Sequence, residues 1–394
     1  MKRNWFAVLP ALALACLPSS CAHFDGAAPR PNAEKSSPAG RAIQSVQQKY
    51  APNSHLAIFN VGLQRQGHEL VLTGDVDRAE ARIEVVQAVE RTGVRVTDRI
   101  KVLPAARLGN EVWGLSCLSV ANARELPEHK AEMGTQVLMG DVVRVWKQST
   151  NVAFPWFLVQ SPDGYVAWME GGAIVRCTRE RVDAWNRGPL LLVTASEDRI
   201  LEQPRADSQP VSDVVMCDRV KQVGEDGDWY RVELPDGRSG YLPRCAATNF
   251  ATWKQSRRAT PESIEGAARS FLGRPYLWGG NSTKGLDCSG FTQQVFFLNG
   301  IDLLRNASAQ ACQGVAVPLD ADLSGVRKGD LLFFGRRARP GEPERVTHAG
   351  IYLGDKLFIH SSQRVRISSL DPQSPIRDEF RIRSLLRARR ILSP

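Results

Sequence analysis

Cys288 stands in the run Asp287-Cys288-Ser289-Gly290-Phe291, and two of the six histidines, His348 and His360, follow it. A thiol becomes a nucleophile when deprotonated, and imidazole is the side chain suited to take its proton near neutral pH. Phe291, Val295 and Phe296 recur at helical spacing until Asn299-Gly300, so Cys288 opens a helix. Free amides and the positive end of the helix dipole gather there and favour a thiolate. His348 lies in Thr347-His348-Ala349-Gly350-Ile351-Tyr352-Leu353, and His360 in Leu357-Phe358-Ile359-His360-Ser361. Both runs read as strands joined by a turn at Gly354-Asp355, which sets the imidazoles on adjacent antiparallel strands. His348 is then the expected base and His360 the group that orients it. No spacing of His, Cys and carboxylate here reads as a metal-ligand set, so neither metal nor cofactor is expected.

The elements that must hold these groups begin near Arg258. Thr260-Pro261-Glu262 caps and starts a helix with the stripe Ile264, Ala267, Ala268, Phe271, and Gly273 ends it. The loop Pro275-Tyr276-Leu277-Trp278-Gly279-Gly280 leads to the Cys288 helix. Cys312 reads as a small core residue. The arginines Arg377, Arg381, Arg383, Arg387, Arg389 and Arg390 alternate with apolar residues, as a final strand with a solvated face would. Contact of that face with anionic wall polymer or lipid head groups is the other reading it allows.

Upstream lies an internal repeat. Pro155-Trp156-Phe157-Leu158-Val159, Pro162-Asp163-Gly164 and Tyr165-Val166-Ala167-Trp168 are echoed by Asp228-Trp229-Tyr230-Arg231-Val232, Pro235-Asp236-Gly237 and Gly240-Tyr241-Leu242. Each copy reads as a hairpin with a tight turn. Gly140-Asp141-Val142-Val143 and Ser212-Asp213-Val214-Val215 mark an earlier strand in the two copies, giving two small all-β barrels over 113–178 and 188–248. Cys117 and Cys177 fall in the first, Cys217 and Cys245 in the second; pairing within a copy and buried free thiols both remain open.

Before the repeat, a strand with Leu56 and Ile58, a second ending Leu70-Val71-Leu72-Thr73-Gly74, a helix from Arg78 to Arg91 and Val94-Arg95-Val96 form a small α+β unit over 54–104. Residues 24–45 are rich in Ala, Pro, Ser and Gly, so 22–53 is expected to be a flexible linker. Lys2, Arg3 and the short apolar run through Leu17 form a secretory signal over 1–21, too short to span a membrane. Leu17-Pro18-Ser19-Ser20-Cys21 resembles a bacterial lipoprotein box, which would place a lipid, and so a membrane attachment, on Cys21. An exported chain in the cell envelope or periplasm is expected. With 394 residues, 43% hydrophobic and 24% charged, the chain is neither disordered throughout nor one small scaffold. The net charge of +9 is spread thinly and argues for no nucleic-acid partner.

Asp-Cys-Ser-Gly-Phe at a helix start, after Tyr-x-Trp-Gly-Gly and before His-Ala-Gly-Ile-Tyr-x-Gly, resembles the NlpC family of bacterial cell-wall cysteine peptidases. The resemblance covers 258–394 and implies a papain-like α+β domain with Cys288 as nucleophile, His348 as base, His360 as third polar residue and Tyr276 assisting the oxyanion hole. The paired all-β units resemble bacterial SH3-like domains, as in the subgroup that cuts between γ-D-Glu and a diamino acid in peptidoglycan stem peptides. That resemblance implies that Glu132 and Tyr165 hold a free L-Ala amine, and that Trp278, Asp287, Ser289 and Ser308 line the substrate cleft. Asn306 stands where relatives commonly carry an acidic residue, which would relax selectivity for the free amine. Leu72 to Val76 gives the α+β unit a resemblance to BON domains of envelope proteins. A different amidase or acyltransferase of the same chemistry, or a noncatalytic wall-binding protein, is the competing expectation.

Overall fold

The computed structural model describes residues 36–67, 69–149, 154–320 and 322–392. The expected signal and Cys21 lie outside the described residues. The linker expected over 22–53 is not flexible chain throughout, because α1 (Pro38–Tyr50) forms inside it. Ser37 accepts from the Gly40 amide at 3.0 Å, Pro38 occupies the first turn, and Ala39, Ile43 and Val46 form a buried stripe. That stripe packs on β1 (Phe59–Gln66), β2 (Glu69–Val76), α2 (Ala79–Glu90) and β3 (Arg95–Val102) through Phe59, Leu72, Val85, Val89 and Ile100. β1 runs antiparallel to β2, and β3 parallel to it across the α2 connection. β1 starts later than Leu56 and Ile58; Ile58 turns away from this core to pack with Leu103 and Leu158.

The next strands are β4 (Trp113–Ser116), β5 (Val120–Arg124), β6 (Met133–Leu138), β7 (Val142–Gln148), β8 (Trp156–Gln160), β9 (Val166–Glu170) and β10 (Ile174–Cys177). They form one sheet in the order β10-β4-β7-β8-β9-β5-β6. After α3 (Arg179–Arg187) come β11 (Leu190–Val193), β12 (Glu197–Leu201), β13 (Pro210–Val215), β14 (Arg219–Asp226), β15 (Trp229–Glu233), β16 (Ser239–Pro243) and β17 (Ala247–Asn249). Their order, β17-β11-β14-β15-β16-β12-β13, repeats the first strand for strand. The turn before β7 and the turn before β14 also match. Asp141 accepts from the Leu138 amide at 3.0 Å, and Asp218 from the Val215 amide at 2.8 Å. Gly140 (φ +80°) and Cys217 (φ +76°) occupy the same left-handed position. The strand equivalence expected upstream is therefore shifted: Val214-Val215 end β13, the counterpart of β6, whereas Val142-Val143 begin β7.

Cys117, Cys177, Cys217 and Cys245 are free thiols. The pairing left open by the sequence does not form, because each sulfur has its own surroundings. The Cys117 thiol donates to the Gly172 carbonyl, Cys177 packs with Leu115 and Trp185, Cys217 packs with Leu192 and Trp253, and Cys245 is exposed.

α4 (Phe250–Ser256) leads to α5 (Pro261–Ser270), closed by a reciprocal Thr260–Ser263 capping box. A ribbon of β18 (Asn281–Ser282) and β19 (Gly285–Leu286) precedes α6 (Cys288–Phe297) and α7 (Ala307–Gln310). Then follow β20 (Val315–Val317), β21 (Leu331–Arg336), β22 (Arg345–Gly354), β23 (Leu357–Ser362), β24 (Arg364–Ser369), α8 (Glu379–Ser384) and β25 (Leu385–Arg390). The sheet order is β20-β25-β21-β22-β23-β24. One face carries α6 through Phe291, Val295 and Phe296 against Phe333, Ala349 and Ile359; the other buries Leu332, Phe334, Tyr352 and Phe358. Two expectations change here. Cys312 is exposed, because it follows the short α7 and faces outward from its last turn. The arginine-rich end is half helix, and its arginines are engaged: Arg389 donates to the Ala311 carbonyl at 2.7 Å and Arg390 pairs with buried Asp330 at 2.7 Å.

Arg305 joins the sheets to the catalytic unit. Its side chain is fully buried, forks onto both Asp287 oxygens at 3.0 and 2.7 Å, and donates through Nε to Thr135 Oγ1 on β6 at 2.8 Å. Gln136 Oε1 accepts from the Asn281 amide at 2.9 Å and from the Ser282 hydroxyl at 3.0 Å, and Gln293 donates to Asp163 at 3.0 Å. Arg305→Ala leaves a buried carboxylate without its cation and is expected to destabilise the catalytic unit by about 3–5 kcal/mol. Calorimetric melting checks this, and a loss below about 1 kcal/mol would contradict a role for the fork in holding the units together.

Candidate active site

Asp287 is the N-cap of α6, accepting from the Gly290 amide at 2.7 Å. Its second oxygen takes the Gly279 amide at 3.1 Å, so one carboxylate fixes both the helix start and the Tyr276–Gly280 loop. Cys288 follows at the first helical position and is 7% exposed. Burial pushes its thiol up to about 11, with the Asp287 carboxylate adding to the rise; the Ala349 and Ser289 amides and the Arg305 guanidinium oppose it. Desolvation thus outweighs the helix-end stabilisation expected from sequence, and the resting sulfur carries its proton.

The Ala349 amide that faces the sulfur belongs to the residue after His348, so β22 runs beside the thiol. His348 Nε2 lies 2.8 Å from His360 Nδ1, and His360 Nε2 lies 3.2 Å from Ser368 Oγ. With Nε2 engaged by His360, Nδ1 is the His348 nitrogen that remains for another partner. Both rings are buried between strands and against Phe334 and Phe358. Burial, then the Arg381 guanidinium, holds His348 well below its usual 6.5; the same causes push His360 down to about 3. Thiol and imidazole are thus each shifted toward the neutral form.

A cleft of about 590 Å³ opens on Cys288. Tyr276, Trp278, Asp287 and Ser289 line it from the catalytic loop and helix, Asn306 and Ser308 from the start of α7, and Glu132 and Tyr165 from the first β unit. His348 and His360 do not line it and are buried. The Tyr276 hydroxyl is pushed above its usual 10 by burial and by its neighbours Cys288 and Asp287, so it stays a hydrogen-bond donor.

The cleft also contains residues that sequence reasoning missed. Tyr165 Oη donates to Glu125 Oε1 at 2.8 Å, and its hydroxyl also meets the Asn306 side chain. Glu125 stands at the end of β5, with its amide donating to the Glu132 carbonyl at 2.9 Å across the β5–β6 turn. The hairpin thus sets two carboxylates in one cleft, a pairing that only strand register could have revealed. Gly134 leaves room for them: a Cβ there would lie 2.5 Å from Glu125 Oε1 and 2.8 Å from Tyr165 Oη. His55 enters the cleft from the N-terminal unit, and Glu344 with the first residues of β22, Arg345, Val346 and Thr347, lines it as well. No local sequence signal marks His55.

Residues 273–384 match the NlpC/P60 family, and residues 124–174 match the bacterial dipeptidyl-peptidase Sh3 domain. The chain is 30% identical over 255 residues to a gamma-D-glutamyl-L-lysine dipeptidyl-peptidase of Bacillus cereus, covering 65% of this chain and 73% of that one. It is 27% identical over 270 residues to dipeptidyl-peptidase 6 of Lysinibacillus sphaericus, covering 65% and 91%. The crystal structure of a NlpC/P60 family protein from Bacillus cereus superposes with a TM-score of 0.59 at 25% identity, over 71% of this chain and 100% of the other. Similarity over so much of both chains, carried by the region that holds Cys288 and His348, means that this chain belongs to the NlpC/P60 family and is a cysteine peptidase.

Proposed function

We propose that the protein hydrolyses the amide between γ-D-Glu and the diamino acid of peptidoglycan stem peptides, releasing L-Ala-γ-D-Glu from substrates with a free L-Ala amine. The observation that carries this reading is the pair of carboxylates, Glu125 and Glu132, in the cleft that contains Cys288. An ammonium is the ligand that such a pair favours. Two relatives, a gamma-D-glutamyl-L-lysine dipeptidyl-peptidase and a dipeptidyl-peptidase 6, support it by their names. Asn306 brings a hydrogen-bonding amide and no charge, so the carboxylates of the first β unit carry the amine selectivity.

In the first step, Cys288 gives its proton to His348 Nδ1 as sulfur attacks the γ-carbonyl carbon. The Cys288 amide and the Tyr276 hydroxyl receive the charge that develops on oxygen. His348 then protonates the departing amine as the C–N bond breaks, leaving a thioester on Cys288. Water, losing its proton to His348, attacks the thioester and restores the thiol. His360 holds the His348 ring through its Nε2, and Ser368 holds His360 in turn.

The localisation we infer is the cell envelope, on the residue pattern of 1–21, with Cys21 as a lipid attachment point. We also assign the N-terminal αββαβ unit to the BON-like class, on its Leu72–Val76 step before the helix.

Cys288→Ala is expected to abolish release of L-Ala-γ-D-Glu from a free-amine stem tripeptide, read by chromatography of the products; wild-type release would overturn the reading. A substrate panel with other amides separates it from a general amidase. The pH profile carries a further expectation. His348 must be neutral to accept the proton, and its value is held below 6.5, so kcat/KM is retained as pH falls through 6.5 and drops only below it. The alkaline limb should follow deprotonation of the substrate's α-amine, near about 8. An acid limb centred at or above 6.5 would contradict the neutral-pair mechanism.

A further inference from the structure

The N-terminal unit reaches into the cleft through one side chain. The segment between α1 and β1 is fixed on the first β unit: the His55 carbonyl accepts from the Val166 amide at 2.8 Å, and the Leu56 carbonyl from Gln160 Nε2 at 3.1 Å. Asn53 Oδ1 accepts from the His55 amide at 3.0 Å. Around this attachment, the Ala105 amide donates to the Trp146 carbonyl at 2.8 Å, Lys147 pairs with Asp75, and Ile58 and Leu103 pack on Leu158. The backbone that carries His55 is therefore held from both sides.

The imidazole lies flat on the Tyr165 ring, with centroids 4.9 Å apart and planes 14° from parallel. Its Nδ1 is 3.9 Å from Glu125 Oε1, the oxygen that also takes the Tyr165 hydroxyl. An ammonium bound by Glu125 and Glu132 would thus have the His55 ring as a neighbour. Any group attached to that nitrogen needs space, and the ring occupies space beside the carboxylates.

We propose that His55 is a specificity-determining residue: the N-terminal unit supplies the end wall of the amine subsite, and this wall excludes peptides whose L-Ala nitrogen is acylated. The inference rests on the functional reading above. It assigns the rejection of extended substrates to a residue outside both the catalytic unit and the β unit that carries the acidic pair. The flat stack means that ring bulk does the excluding, so a phenyl group should substitute for the imidazole.

The test uses the full chain with two substrates, a stem tripeptide with a free L-Ala amine and the same peptide N-acetylated. Wild type is expected to prefer the free amine strongly. His55→Ala should lower the ratio of the two kcat/KM values by at least about tenfold, through a gain on the acetylated peptide. His55→Phe should keep the wild-type ratio. A parallel change on both substrates in His55→Ala, or an unchanged ratio, would overturn the wall. Wild-type cleavage of neither peptide would instead sink the functional reading, and the wall with it.

Discussion

The buried contact between Arg305 and Asp287 is the interaction on which the other parts of the site depend. A guanidinium removed from water is tolerable only with its charge matched and its donors filled, and Arg305 meets both conditions with a bidentate carboxylate, the Thr135 hydroxyl and the Ser289 hydroxyl. Asp287 is at the same time the cap of the nucleophile's helix and the anchor of the loop that carries Tyr276. One ion pair therefore sets three things together: where the thiol points, where the Tyr276 loop sits, and how the first β unit meets the peptidase. A site assembled from separate folding units needs such a fixed point, because catalytic geometry tolerates little displacement.

The electrostatics follow from the same burial. Sulfur and both imidazoles are shielded from water, and each is shifted toward its neutral form. The helix end, the Ala349 amide and Arg305 do not produce a resting thiolate. In the proposed mechanism they favour negative charge at sulfur when the proton moves to His348, so the stabilisation is available during reaction and not spent on the resting state.

Much of this was legible in the chain because it is local. The Asp-Cys-Ser-Gly-Phe run at a helix start and the two histidine-bearing strands are set by short-range periodicity, while Glu132, Tyr165 and Asn306, which line the cleft, were pointed to by the family resemblance alone. What escaped depends on contacts distant in sequence. Arg305 looks like an ordinary surface arginine until Asp287 and Thr135 close around it. Glu125 becomes visible only with the β5–β6 register, and His55 only with the docking of the N-terminal unit. α1 was hidden by composition: a segment rich in Ala, Pro and Ser reads as tether, although Ala39, Ile43 and Val46 are spaced to bury one face. Cys288 was read correctly as a helix-start residue, but its protonation is decided by the strands stacked over it, which no helix-end argument includes.

The order of the catalytic sheet makes one strand outside the cleft indispensable to its closure. β25, the last strand, sits between β20 and β21, where it pairs with both. Without it the thiol, both imidazoles and the acidic pair would all be present, yet β21 would have an open edge and β20 no strand to join. Arg390, the partner of buried Asp330, belongs to the same strand. β25 thus adds no side chain to the cleft, yet it joins β20 to the strands that carry His348 and His360.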